Sequence, residues 1–244
     1  FEGGGLKFGM RASKGAIEDF SIDPVTLEPM LITIGNVRPK GICGSGLIIM
    51  VATFFEMGII NNLGKFDRDL DTPRIRQEDG IYEYVLAWKD ETQIDRDVTL
   101  TEIDIENLIR AKGAIYSGCM TLLTEVGMGI SDIEHIILAG GFGSYVDLEK
   151  AITIGLLPEI DPHKVTFIGN GSLMGARMSS LTNRIRQDVA EVTKKMTNFE
   201  LSDTPSYMDN YVAALFLPHT DMNQFPRLKS RLEARNKLKL KIED

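Results

Sequence analysis

The spacing of apolar positions changes several times along the chain, and each change marks a predicted element. "GAIEDFSI" (Gly15–Ile22) and "PMLITIG" (Pro29–Gly35) are rich in β-branched and apolar residues, with "DPVTLEP" between them. Turn chemistry flanked by such runs predicts a hairpin. "LIIMVATFFEMG" is apolar on nearly every face up to Gly58. That pattern predicts a helix buried all round, with the glycine as its stop. Residues 61–98 are charged and irregular, with one strand predicted at Tyr82–Trp88.

Helical spacing returns with Ile105, Leu108, Ile109, Lys112, Ile115, Tyr116, Cys119, Leu122, Leu123 and Val126. Thr101 and Asp104 stand where a capping box would start that helix. Lys112 is the one charge on the stripe. "IEHIILAGGFGSYVD" (Ile133–Asp147) then reads as a buried strand, a glycine turn and a helix start. "DLEKAITIGLLP" reads as a short helix ended by Pro158. "KVTFIGNGSLMGARMSSL" reads as strand, glycine turn and helix, and "NRIRQDVAEVTKKM" continues or restarts that helix. "NFELS" is a further strand expectation and "PSYMDNYVAALFLP" a further helix. Strands alternating with helices predict an α/β fold.

Glycine after a strand lets backbone approach a ligand, because no Cβ intervenes. A helix N-terminus adds unpaired N–H groups and partial positive charge. Three places combine the two: Gly44-Ser45-Gly46, Gly140-Gly141-Phe142-Gly143 and Gly169-Asn170-Gly171-Ser172. Each is open to a second reading as a plain tight turn. GxGxxG is absent, so "GGFG" fits the dinucleotide fingerprint poorly, and without GxxxxGK[ST] a P-loop is excluded. His135, His163 and His219 have no metal spacing. Cys43 stands at a helix start that can activate a thiol, or it packs as a small buried side chain.

Composition narrows the classes further. The chain has 244 residues, 43% hydrophobic, and a net charge of -8. That suits one or two subdomains with a sizeable core and argues against a nucleic-acid surface. No apolar run reaches the ~18 residues of a membrane span. The two cysteines, Cys43 and Cys119, fit no iron–sulfur ligand set, and a reducing cytoplasm is the expected setting. The first residue is Phe1, read as the start of a piece of a longer protein. "RLKSRLEARNKLKLK" (Arg227–Lys241) is basic: a solvated helix or frayed end, or a contact for an acidic partner.

The order of helix, "LAGGFG", short helix and "GNGSLMGA" resembles the C-terminal half of the acetate and sugar kinase, heat-shock ATPase and actin (ASKHA) superfamily. A narrower set, "FEGGGLKFGMRASKGAIE", "GICGSGLI", "AKGAIYSG", "LAGGFGSY", "IGLLP" and "GNGSLMGA", is similar to the ASKHA domain of the reductive activators of corrinoid proteins. Activators of corrinoid methyltransferase systems share it. The resemblance implies an actin-like, ribonuclease H-like α/β fold with a mixed sheet flanked by helices, over residues 1–226. Residues 227–244 form the basic tail.

The resemblance also assigns roles. Gly140, Gly141 and Phe142, with Gly143, pass against the nucleoside and α-phosphate of ATP. Gly44, Ser45, Gly46 and Asn170 join the cofactor-binding set. Lys112 is expected to touch adenine or ribose, or else to snorkel at the stripe's edge. The full proteins carry a [2Fe-2S] domain whose electron returns a Co(II) corrinoid to Co(I), with Mg-ATP supplying the drive. Neither cluster cysteines nor the two Asp-bearing phosphate hairpins are in this sequence, so a partial site is expected. The implied partners are a corrinoid protein and a second copy, with no nucleic acid and no membrane. Two other readings stay open. One is an interaction module with a vestigial pocket, and the other is a small-metabolite kinase of the superfamily.

Overall fold

A computed structural model describes residues 4–140, 143 and 146–243, with backbone alone at 202 and 236–243. Strands β1 (Ala16–Ile22) and β2 (Pro29–Thr33) form the expected antiparallel hairpin, and β3 (Gly41–Ile42) joins β1 in parallel. The Asp23 carboxylate closes the hairpin turn by accepting from the N–H groups of Val25 and Thr26. Helix α1 (Gly44–Met57) follows, buried along nearly its whole length, and Gly58 ends it at φ 71°. Phe54 of α1 lies at the centre of the main core, with ring centroids 5.2 Å from Phe20, 6.0 Å from Phe66 and 4.7 Å from Tyr84.

Strands β4 (Ile75–Glu78), β5 (Ile81–Ala87) and β6 (Val98–Thr101) form an antiparallel sheet where one strand was expected. The missed sign was Asp79-Gly80, both at positive φ, the dipeptide that a tight two-residue hairpin selects. Arg74 ties this sheet to the first hairpin, reaching Glu28 and the Val85 carbonyl.

Helix α2 (Glu102–Glu125) starts with the expected capping box. The Thr101 hydroxyl accepts from the Asp104 N–H at 3.1 Å, and Asp104 accepts from the Thr101 N–H at 2.9 Å. Its N-terminal half buries Ile105, Leu108, Ile109, Lys112 and Tyr116. Further along, the stripe comes to the surface at Ile115 and Leu122, and at Val126 just past the helix end, and Ser117 and Thr121 are buried instead. The cause is a second helix, α6 (Pro205–Ala213), which lies along that other face. Asn210 of α6 donates to the Thr121 hydroxyl at 3.0 Å.

Strands β7 (Ile136–Leu138) and β8 (Val165–Phe167) pair in parallel, with the short helix α3 (Leu148–Thr153) between them in sequence. β7 was expected to be buried, but Ile137 is 61% exposed and Phe167 of β8 is 43% exposed. Helices α4 (Gly171–Leu181) and α5 (Asn183–Thr193) follow and bury no residue. Thr182 separates them by capping α5, so the helix restarts there rather than continuing. The strand expected at "NFELS" is absent among the described residues: Leu201–Asp203 is a single helical turn. The α/β reading holds, with the strands of the described residues distributed over three small sheets.

The basic tail is helix α7 (Pro226–Glu243), and its first turns are docked rather than solvated. Leu228 is buried beside Tyr116 and Ile152. Arg227 pairs with Glu159 at 3.1 Å, and Arg231 pairs with Glu56 of α1 at 2.7 Å.

Candidate functional site

Two of the three glycine turns converge. β7 and β8 run parallel, so their carboxyl ends lie side by side, and the turns that leave them meet. The Gly140 N–H donates to the Gly169 carbonyl at 2.6 Å, just beyond the ladder bond from the Ile168 N–H to the Leu138 carbonyl. Gly140 has φ 106° and Gly169 φ 64°, a region that side chains rarely adopt. A Cβ at either would meet nothing within 4 Å among the described residues. In open α/β sheets, ligands bind at the carboxyl ends of the strands.

The helix that follows completes the arrangement. The Asn170 side-chain carbonyl accepts from the Leu173 N–H at 2.9 Å and so fixes the start of α4. No acidic residue stands in the first turn of α4. That leaves its partial positive end available to an anion. Gly143 is close to its own loop, where a Cβ would sit 3.3 Å from the Ala139 carbonyl. Gly141 and Phe142, given the nucleoside contact in the sequence reading, lie outside the described residues.

The third turn is of another kind. Gly44, Ser45 and Gly46 open α1 above the first sheet. A Cβ on Gly46 would fall 2.2 Å from the Ile17 carbonyl, so glycine is required there by close helix–strand packing. Cys43 is buried, and its thiol donates to the same carbonyl at 3.2 Å. Ser45 stands 3.3 Å from that sulfur. The ligand expectation for residues 44–46 therefore has a sufficient packing explanation beside it.

Lys112 changes most between sequence and structure. It is fully buried, so it does not snorkel. Its ammonium donates to the carbonyls of Phe216 and, at 2.6 Å, Pro218, in the loop that follows α6. Burial pushes its pKa down to about 7. His219, next in that loop, is also lowered, first by burial and then by the Lys112 charge. The His219 ring lies 5.5 Å from Tyr116, whose hydroxyl donates to Gln224 at 2.7 Å. Lys112 and its neighbours thus form a clamp inside the protein.

Sequence reading missed two members of this neighbourhood. Gly155, at φ 74°, has its backbone against the loop, since a Cβ there would lie 2.1 Å from the Pro218 carbonyl. Asn62 accepts the Leu217 N–H at 2.8 Å through its backbone carbonyl. The "IGLLP" string carried the only sign of the first, and nothing marked the second.

Among the described residues no group of three or more His, Cys, Asp or Glu side chains could hold a metal ion. His135, exposed, shares a hydrogen bond with Thr166 across β7 and β8 at 3.1 Å. Cavities of 190 Å³ beside α3 and α7 and of 540 Å³ along Gly58–Asp69 include none of the glycine-turn residues. Among the described residues no helix is long and apolar enough to cross a membrane.

Comparison with known proteins adds a consistent set of relatives. A family model described as the C-terminal domain of RACo, the ASKHA domain, matches residues 1–229. The corrinoid activation enzyme RamQ of Eubacterium limosum is 33% identical over 218 residues, 86% of this chain and 36% of RamQ. The [Co(II) methylated amine-specific corrinoid protein] reductase of Methanosarcina barkeri is 30% identical over 218 residues, covering 80% of this chain and 36% of the reductase. A solved structure, the reductive activator for corrinoid, iron-sulfur protein, superposes with a TM-score of 0.86 at 47% identity. It covers 93% of this chain and 36% of its own. The chain therefore spans about a third of the length of each of these relatives.

Proposed function

The chain belongs to the family of the C-terminal ASKHA domain of RACo, and from that premise we propose that it is the nucleotide-binding part of an ATP-dependent corrinoid activator. The observation that carries this reading is the meeting of Gly140 and Gly169 at the carboxyl ends of β7 and β8. Bare backbone there can lie flat against a nucleoside, and the start of α4 favours the negative charge of the phosphates. ATP fits the residues present on that count. Among the described residues no group of side chains could hold magnesium, which would come with the phosphates.

The rest of the activity belongs to the longer polypeptide. β8 is the one strand paired with β7 among the described residues. Parallel sheets are normally covered on both faces, whereas Ile137, Phe167 and the whole of α4 stand open. The remaining two thirds of the relatives' length is the natural source of that cover. It would also supply the phosphate hairpins with their aspartates and the [2Fe-2S] domain. ATP, once bound, supplies the free energy for passing one electron to the Co(II) corrinoid of a partner protein, which gives Co(I). The residues of this chain hold the nucleotide, and the expected site of action is the cytoplasm. Homodimerisation belongs to the same proposal.

Calorimetric titration of Mg-ATP and ADP into the full-length polypeptide tests the reading. Binding is expected, and Gly140→Val should weaken it more than tenfold while the unfolding transition stays cooperative. An unchanged affinity in that variant would remove the glycine platform from the nucleotide site.

A further inference from the structure

We infer that Lys112 is a positioning residue for the glycine platform: it holds the 216–218 loop, and through that loop α3, without touching the nucleotide. The inference rests on the nucleotide reading given above and adds a residue that acts on the site from behind.

The connection runs through backbone groups. Lys112 lies near the middle of α2, the helix that precedes β7 and Gly140 in the chain. Its ammonium donates to the carbonyls of Phe216 and Pro218. The Pro218 carbonyl in turn lies against Gly155, the residue that ends the helical segment begun at Leu148. That segment begins eight residues after Gly140 in the chain. One buried side chain therefore ties the element that enters the platform to the element that leaves it. The same loop is fastened to the turn after α1 by the Leu217 N–H on the Asn62 carbonyl.

A direct contact with the nucleotide conflicts with this geometry. Lys112 is fully buried, and two of its three N–H groups have carbonyl partners. Removing those donors would leave two carbonyls without partners, at buried Pro218 and half-buried Phe216, and a buried acceptor without a donor is costly. The loop would then shift to find other donors, and Gly155 and α3 would shift with it.

The test compares Lys112→Met with Lys112→Gln in the full-length polypeptide. Methionine keeps the aliphatic length and removes every donor. Glutamine removes the charge and keeps two N–H donors for two carbonyls. Each variant is titrated with Mg-ATP, and amide hydrogen exchange is followed over 148–155 and 216–219. The expected result is a loss of about tenfold or more in affinity for methionine, with glutamine within about threefold of the unsubstituted protein. Exchange over 148–155 should speed up in the methionine variant alone. Should glutamine lose as much affinity as methionine while both keep normal exchange, the ammonium itself meets the nucleotide and the inference is overturned. Normal affinity in the methionine variant would also overturn it. If the unsubstituted protein binds no nucleotide, the site reading fails first. The exchange data would then still decide separately whether Lys112 holds α3.

Discussion

Helices α1 and α4 begin alike and end in opposite surroundings. Each follows a short strand, each opens with a glycine–serine step, and each continues into leucine. α1 buries most of its residues in a core with Phe20, Phe66 and Tyr84. α4 buries none. Around α1 the glycine exists so that a helix can lie against a strand, and Gly46 has a carbonyl where its Cβ would be. Around α4 the glycines Gly140 and Gly169 have no described residue within 4 Å of the same place. One sequence motif thus serves packing in one half of the chain and presentation of backbone in the other. The surroundings of the missing Cβ tell the two apart.

Truncating the two helices should give the largest contrast. Phe54→Ala removes a fully buried ring with three aromatic neighbours, and such changes cost about 3–5 kcal/mol. Met178→Ala in α4 removes a side chain that is 43% exposed, and its cost should stay within about 0.5 kcal/mol. Urea unfolding of this chain measures both. Equal costs would mean that α4 is as well buried as α1 and would erase the contrast.

The glycines sharpen it at a smaller scale. Gly46→Ala forces a methyl group onto the Ile17 carbonyl and should cost about 1–3 kcal/mol by overpacking. Gly169→Ala meets no atom within 4 Å; its penalty is the left-handed backbone alone, about 1–2 kcal/mol. Nucleotide affinity should respond in the reverse order, with Gly169→Ala the more damaging. A Gly46→Ala variant that is stable but cannot bind nucleotide would return residues 44–46 to the site.

The buried half was the more legible in sequence. The hairpin, the all-round apolar helix ended by Gly58, and the Thr101–Asp104 capping box all rest on local chemistry, and the structure has them. The exposure of β7 and α4 could not be read, because an apolar run looks the same whether or not its cover is present. The stripe on α2 failed for a related reason. Spacing alone could not show that α6 would take the face with Ser117 and Thr121 and leave Ile115 and Leu122 at the surface. The glycine turns were visible as candidates, but only the parallel register of β7 and β8 brings two of them together. Lys112 stood out as a charge on an apolar stripe, while its partners lie more than a hundred residues away in the chain.

Lys112 also gives the buried half a pH dependence. Its pKa falls to about 7 in the folded protein, from the ordinary lysine value of 10.5 in the unfolded chain. Between these values the unfolded chain binds the extra proton, so stability rises with pH across that window and is lost as pH falls toward 7. The slope attributable to this group is at most about 1.4 kcal/mol per pH unit. Lys112 faces His219, whose ring lies beside Tyr116 and which has Asp221 close by. Of these, His219 is lowered and Tyr116 is raised away from the window, the tyrosine chiefly by burial. Unfolding free energies from pH 7.5 to 9.5 should climb in the unsubstituted chain and flatten in Lys112→Gln. A parallel climb in both would assign the dependence to another group.

The smallest effect belongs to the docked start of α7, which bridges the comparison because it touches α1 and α3 together. Arg231 reaches Glu56 at 2.7 Å, Glu149 at 3.4 Å and the Thr153 hydroxyl at 2.9 Å, yet its side chain is 48% exposed. Half-exposed ion pairs contribute about 0–1 kcal/mol, so Arg231→Ala should cost no more than that, and less in high salt because the Debye length shrinks to about 3 Å at 1 M. Leu228 is nearly fully buried and makes the apolar contact of the same helix with Tyr116 and Ile152. Leu228→Ala should therefore cost about 2–5 kcal/mol, as for other buried leucines, with little dependence on salt. If Arg231→Ala proved the costlier of the two, the ion pairs and not the leucine would hold α7 against α3. The basic helix would then be a salt-sensitive strap over the element that leaves the glycine loop.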